Sequence, residues 1–280
     1  MAYEAEISRT NPTCFLFLID QSGSMGDLFG SAETSKKKAD GVADAINRLL
    51  QNLTIRCAKE EGIRDYCNVG VIGYGAKVGP ALGGALSGRD LVPISEIANN
   101  PVRVENRTRK DDDGAGGLVD RPIRFPIWFD PIANGGTPMS QALRQGRDIL
   151  SQWLTQHPNC FPPAVIHITD GESTDGDPSQ AMQDLTSLNS TDGNILLFNV
   201  HLSANPNAVS ISFPDSLTNL PDQYARLLFD GSSFLTPAMR AVAKEHGFNL
   251  SDGAKGFVLN ADLVLVIQAL DIGTRPTNLR

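Results

Sequence analysis

Short apolar runs recur along the chain at Thr13–Ile19, Val69–Tyr74, Val165–Thr169 and Ile195–Leu202. Runs of this length and composition read as strands. Between them the period changes. Val42, Ile46, Leu49, Leu50 and Leu53 repeat at spacings of three and four, which predicts an amphipathic helix. A second helix is predicted from Pro138 to about Trp153, with Ala142, Leu143, Ile149, Leu150 and Trp153 on one side. Thr236-Pro237 opens another, and a last one starts near Ala261, with Asn260 placed as its N-cap and Gly273 placed to stop it. Short strands alternating with helices of ten or more residues imply an α/β fold: a doubly wound, Rossmann-like, mostly parallel central sheet with helices on both faces.

In such sheets ligands bind beyond the carboxyl ends of the strands. That rule nominates Asp20, which follows the first run, and Asp170, which follows AVIHIT. Residues 76–133 and 203–235 break the alternation. The first holds ALGGALSG and the mixed-charge ENRTRKDDDGAGG, too long for an ordinary connection, and the second holds SANPNAVSISFPDS. Apolar residues continue through both, so the expectation is one domain over 1–280 with two elaborations rather than two domains and a linker.

Composition narrows the function. The 280 residues are 41% hydrophobic and 20% charged, enough for a large buried core, and the net charge is -8. An acidic surface repels phosphate backbones, so nucleic acid is a poor partner. The start MAYEAEISRTNPT has no apolar h-region and no segment suits a membrane span, so a cytoplasmic protein is expected. Cys14, Cys57, Cys67 and Cys160 form no C-x-x-C pair, which argues against zinc. Cys57 and Cys67 are close enough in sequence for a disulfide, with a reduced thiol pair the favoured state in the cytosol.

No G-x-x-x-x-G-K-[ST], G-x-G-x-x-G or G-x-S-x-G is present. Of the four histidines, His167 and His201 fall inside predicted strands and read as structural. Three polar clusters remain: Asp20-Gln21-Ser22-Gly23-Ser24, Gly135-Gly136-Thr137-Pro138-Met139 and Thr169-Asp170-Gly171-Glu172. They offer two carboxylates and three hydroxyls, the hard oxygen donors that suit Mg²⁺. Two carboxylates about 5 Å apart repel by roughly 3 kcal/mol at an effective dielectric of ~20, so bringing Asp20 and Asp170 together calls for a cation or a proton. Each cluster alone has a plainer reading. Ser24 with Asp27 suits a capping box, Thr137-Pro138 suits a helix start, and Asp170-Gly171 suits a turn. Thr236-Pro237 shows that T-P occurs here without any acidic motif beside it.

The order D-x-S-x-S, G-G-T-P, T-D-G-E resembles the von Willebrand factor A domain and its metal-ion-dependent adhesion site. "FLIDQSGSM", "GGTPM" and "ITDGEST" carry the likeness, and "GAKGFVLNADLVLVIQALDIGTR" is similar to the close of bacterial stand-alone members linked to tellurium resistance and stress. The resemblance implies that Ser22, Ser24 and Thr137 offer hydroxyls to a metal and that Asp20 and Asp170 bind it directly or through water. The ion would be Mg²⁺, with Mn²⁺ or Ca²⁺ as substitutes. A partner protein's Glu or Asp would complete the shell, within a bacterial system built on a kinase and phosphatase pair or a MoxR-type AAA+ ATPase. The interval from Ser24 to Thr137 is long for the family, and the 76–133 insertion accounts for it. The chain is therefore expected to bind rather than catalyse. A Mg²⁺-dependent phosphoryl-transfer or hydrolytic enzyme competes with this reading, but no lysine, arginine or histidine lies in or beside the clusters along the chain. A metal-independent scaffold acting through the insertion is the third reading.

Overall fold

The computed structural model describes residues 3–29, 36–112, 117–203 and 209–275. Residues 113–116 and 204–208, which belong to the two irregular stretches, lie outside the described residues. The chain opens with β1 (Thr13–Asp20), a 3-10 turn at Gly23–Gly26 and α1 (Lys38–Arg56). A minor hairpin of β2 (Ala58–Lys59) and β3 (Gly62–Ile63) leads into β4 (Cys67–Tyr74). Next come β5 (Val78–Pro80), β6 (Val92–Pro93), α2 (Ile94–Asn99), and the long antiparallel pair β7 (Arg103–Asp112) and β8 (Leu118–Ile127). α3 (Met139–Gln156), β9 (Ala164–Thr169) and α4 (Ser179–Thr186) follow. After the small hairpin β10 (Asn189–Ser190) and β11 (Gly193–Asn194) come β12 (Leu196–Leu202), β13 (Ile211–Ser212), α5 (Gln223–Gly231) and α6 (Pro237–Glu245). β14 (Phe257–Ala261) and α7 (Leu263–Thr274) close the chain.

The central sheet runs β13-β14-β12-β9-β1-β4-β5. Its five inner strands are mutually parallel, and β5, β6 and β13 add antiparallel edges. Because β1 is central, both of its faces are covered, and its apolar run sorts by alternation. Phe15, Phe17 and Ile19 enter the core under α1 and α7, while Leu16 and Leu18 enter the core under α3, α4 and α5. This is the doubly wound α/β architecture that the apolar runs imply. The order reverses between β1 and its neighbours β4 and β9, so the carboxyl ends of these three strands form the switch-point crevice.

The insertion is ordered where it is described. Trp128 and Phe129, just past β8, donate their N–H groups to Asn47 Oδ1 at 2.8 and 3.1 Å, and Asn47 Nδ2 returns a bond to Phe129 O at 2.8 Å. Asn47 is buried on α1 and uses both ends of its amide, so it fixes where the chain leaves the hairpin for the 134–137 loop. Three expectations need correction. Residues 257–261 are a strand, and Asp262, not Asn260, caps α7 by accepting from Leu265 N at 2.8 Å. Gly273 lies inside α7, where a Cβ would stand 2.6 Å from Ile166 Cδ1; it serves close helix–sheet packing rather than a stop. The 203–235 stretch contains β13 and α5. All four cysteines are free and buried.

Candidate metal centre

Asp20 ends β1 in register with Tyr74, the last residue of β4, and is 1% exposed. Its carboxylate is held by two donors: Ser22 N–H to Oδ1 at 2.8 Å and the Thr169 hydroxyl to Oδ2 at 2.8 Å. Among the described residues no basic side chain pairs with it. Burial pushes its carboxyl group above the usual range. Hydrogen bonds from Ser22 and Thr169 oppose that rise, and the nearby charge of Asp170 adds to it.

The turn after β1 brings its two serines together, with Ser22 Oγ and Ser24 Oγ 3.1 Å apart. Ser24 does not cap a helix. The 3-10 turn shows no side-chain cap, and the Ser24 hydroxyl instead donates to Asp170 Oδ1 at 2.7 Å, bridging 146 residues of sequence. The capping-box reading of Ser24 and Asp27 therefore fails for a stated reason: the hydroxyl is engaged across the crevice.

Thr137 is released in a similar way. α3 begins at Met139 after an N-cap at Pro138, with no cap from its own preceding side chain. Asp175, from the loop after β9, does that work from a distance. Its Oδ1 accepts from Ser140 N at 3.0 Å and its Oδ2 from Gln141 N at 2.8 Å. Thr174 pins the Thr137 backbone on both sides: Thr137 N–H donates to Thr174 Oγ1 at 2.9 Å and Thr137 O accepts from Thr174 N at 2.9 Å. The hydroxyl is the polar group Thr137 has left to offer. Thr236, in the second T-P, does cap its helix, accepting from Met239 N at 3.2 Å.

Backbone bonds lock the loops to one another. Asn134 N–H donates to Gln21 O at 2.6 Å, Gly23 N–H to Gly135 O at 3.0 Å, and Ala76 N–H to Asn134 O at 2.9 Å. Gly135 is obligatory: its φ is +89°, and a Cβ there would lie 2.4 Å from Ala76 N. Asp20, Ser22, Ser24 and Asp170 are thus joined directly by hydrogen bonds, and the 134–137 loop carrying Thr137 is tied to the same turn.

Sequence reasoning missed Lys38. It is the first residue of α1, in a run of three lysines that reads as a solvated face, yet its side chain is only 3% exposed. Its Nζ stands 2.5 Å from Asp170 Oδ2, and the Asp170 side chain is fully buried. The statement that no basic residue accompanies the clusters holds along the chain and fails in space. Asp175 was also missed; only its position two residues past Ser173 in the TDGEST loop hints at a turn or cap role.

The donor set fits a hard divalent cation: two buried carboxylates, clustered hydroxyls and no nitrogen or sulfur ligand. No group of three or more His, Cys, Asp or Glu side chains forms a conventional cage among the described residues, so hydroxyls would have to supply part of the shell. The Lys38 ammonium resting on Asp170 shows that the pocket accepts positive charge. A groove of about 1010 Å³ beside α4 and α5 shares no lining residue with this centre.

Fold and site together define a doubly wound α/β domain with a cluster of carboxylate and hydroxyl oxygens and a buried lysine at the carboxyl edge of its sheet. No family model matches the chain, and no curated protein matches it. Among solved structures, the manganese-loaded TRAP protein of Plasmodium vivax overlaps 72% of this chain and 61% of its own, at 15% identity and a TM-score of 0.36. The ArnB paralog VWA2 of Sulfolobus acidocaldarius overlaps 82% of this chain and 41% of its own, at 13% identity and 0.37. The vWF domain of the type V pili tip protein Mfa5 of Porphyromonas gingivalis overlaps 58% and 39%, at 14% and 0.30. The chain therefore spans less than two thirds of each. What defines the fold is this chain's own strand order. No helix among the described residues is long and apolar enough to cross a membrane.

Proposed function

We propose that the chain is a metal-dependent protein-interaction module of the von Willebrand factor A type. Asp20, Ser22, Ser24, Thr137 and Asp170 hold a divalent ion of the Mg²⁺ kind, and a protein partner presents a carboxylate to it. The observation that carries this reading is the diversion of Ser24 and Thr137 from helix capping, with Ser24 turned onto Asp170 and the duty of Thr137 taken over by Asp175. When bound, the ion supplies a Lewis-acidic position for an incoming Glu or Asp. The protein's own part is to keep the donors preorganised on the rigid ends of β1 and β9.

The enzyme reading gains nothing from Lys38. Its ammonium is buried against Asp170, where it serves as the counter-charge of a carboxylate rather than as a group aimed at open space. We read the module as a binder, cytoplasmic, and part of a bacterial stress or defence assembly with a kinase and phosphatase pair or a MoxR-type AAA+ ATPase. The pathway rests on the sequence resemblance alone.

Melting in EDTA and in Mg²⁺ tests the centre. At 100 times its dissociation constant a ligand adds ~2.7 kcal/mol, which for a chain of this length raises Tm by about 5 °C. Asp20→Ala should abolish the rise. Partner capture should be lost in EDTA for the wild type and lost in Mg²⁺ for Asp20→Ala. Partners retained in both conditions would establish the metal-independent scaffold instead.

A further inference from the structure

Lys38 is in an unfavourable place unless it has a specific task. It begins α1, where the helix dipole is positive and a cation is disfavoured. Its ammonium is withdrawn from water, which is costly for an ion without a partner. A surface lysine would swing outward, as its exposed neighbour Lys37 does. Lys38 instead reaches Asp170 Oδ2, while its own backbone N–H donates to Asp27 O at 2.9 Å and so ties the start of α1 to the turn that carries Ser22 and Ser24. Asp170 then has both oxygens engaged, Oδ1 by Ser24 and Oδ2 by Lys38. Two carboxylates and one ammonium leave the centre with one uncompensated negative charge, on the Asp20 side.

We propose that Lys38 is a tethered cation that occupies Asp170 in the absence of metal and must leave it when a divalent ion loads. This rests on the metal-dependent reading above and adds the competition that controls it. The ammonium and the ion claim the same carboxylate. Without metal, Lys38 relieves the repulsion between Asp170 and Asp20, so the loops stay assembled and the protein stays folded. With metal, Asp170 is drawn to the ion and the long, flexible lysine side chain is freed toward water. Metal loading is thereby coupled to the start of α1, and the apparent affinity for the ion is set by how firmly Lys38 holds on. The device needs no change in protonation; it is exchange of one cation for another.

Amine acetylation of the wild-type protein, read by mass spectrometry at each lysine, tests the exchange directly. Lys38 should be protected in EDTA and become labelled in Mg²⁺, with exposed Lys37 labelled equally in both as the internal control. Lys38 protected in both conditions, while calorimetry shows Mg²⁺ bound, overturns the exchange and leaves the metal centre standing. Titration of Mn²⁺ into wild type and Lys38→Met supplies the second measurement. The variant should bind at least roughly tenfold more tightly, since a competing unit charge beside the ligand is removed. Equal affinities overturn the competition alone. Binding by neither protein overturns both the metal centre and the exchange. Binding by Lys38→Met but not by wild type supports the competition in its strongest form.

Discussion

Acidifying the protein from pH 8 to pH 5 should cost about 2 kcal/mol of stability through His167 alone. His167 is fully buried on β9, with Nε2 2.6 Å from the Tyr74 hydroxyl and Nδ1 2.7 Å from Asn199 Oδ1. The network fixes the tautomer. Asn199 Nδ2 donates to Leu228 O and Ser232 Oγ, both at 3.0 Å, so its Oδ1 faces the ring and must accept from Nδ1–H. Nε2 is then the acceptor for Tyr74, and a second proton would set two donors against each other. Burial pushes the imidazole down to about 4, against the smaller opposing pull of the Asn199 bond. An unfolded histidine titrates near 6.5. Between these values the unfolded chain binds the extra proton and the folded chain does not. Stability is therefore intact above about 6.5, falls as the pH drops below it, and levels off below about 4. The full shift corresponds to about 3 kcal/mol, of which about 2 is lost by pH 5. Urea unfolding followed by fluorescence of the buried Trp128 and Trp153, at pH 8, 7, 6 and 5, measures it in wild type and His167→Gln. The glutamine variant carries a constant penalty but lacks the slope. Parallel pH profiles for the two proteins would refute the buried neutral imidazole.

The two T-P helix starts should respond in opposite ways. Thr236→Ala should cost about 1 kcal/mol by chemical denaturation, because it removes a working N-cap, and should leave the Mg²⁺-dependent rise in Tm unchanged. Thr137→Ala should barely alter stability in EDTA, because Asp175 caps α3, yet should weaken or remove the Mg²⁺ effect. Gly273→Ala should destabilise by about 1–3 kcal/mol in the same assay, since the added Cβ is forced against Ile166 and the gain in helix propensity is smaller than the overpacking.

Much of the frame could be read from the chain because a parallel sheet buries both faces of its strands. β1, β4, β9 and β12 stand out as uninterrupted apolar runs, and α1 and α3 as repeats of three and four. β14 was hidden by its neighbour. FVLNA runs straight into DLVLVIQAL, so apolar content continues across a strand, a cap and a helix without a break in period. Asn260 looked like a cap because it is polar in that run; it has a positive φ of 55° at the end of β14 instead. The hairpin β7–β8 was obscured by its charge. Along β7, Arg103, Glu105 and Arg107 form ion pairs where an apolar alternation would mark a strand, and the buried Phe125 and Ile127 come only late in β8. At the site, the five candidate donors Asp20, Ser22, Ser24, Thr137 and Asp170 were legible because each sits at or just past the end of a predicted element. Lys38 and Asp175 were not, since their roles arise only when loops distant in sequence meet.

Those two residues explain why the motif is more than three turns side by side. A cap supplied by Asp175 makes Thr137 dispensable to α3, and a counter-ion supplied by Lys38 makes Asp170 tolerable next to Asp20. Each relieves a donor of a local duty that folding would otherwise impose on it. The loops that carry these residues are thus ordered by the protein's own hydrogen bonds, so a ligand bound there would meet little further ordering cost in the backbone. The same logic addresses the charge of -8. Long-range repulsion of an acidic partner is screened beyond about 10 Å at 0.1 M salt, whereas the field inside a buried centre is screened far less. For an acidic chain, a sequestered cation is therefore a physically sound way to hold an acidic group, and under the proposed exchange Lys38 would decide when that cation is in place.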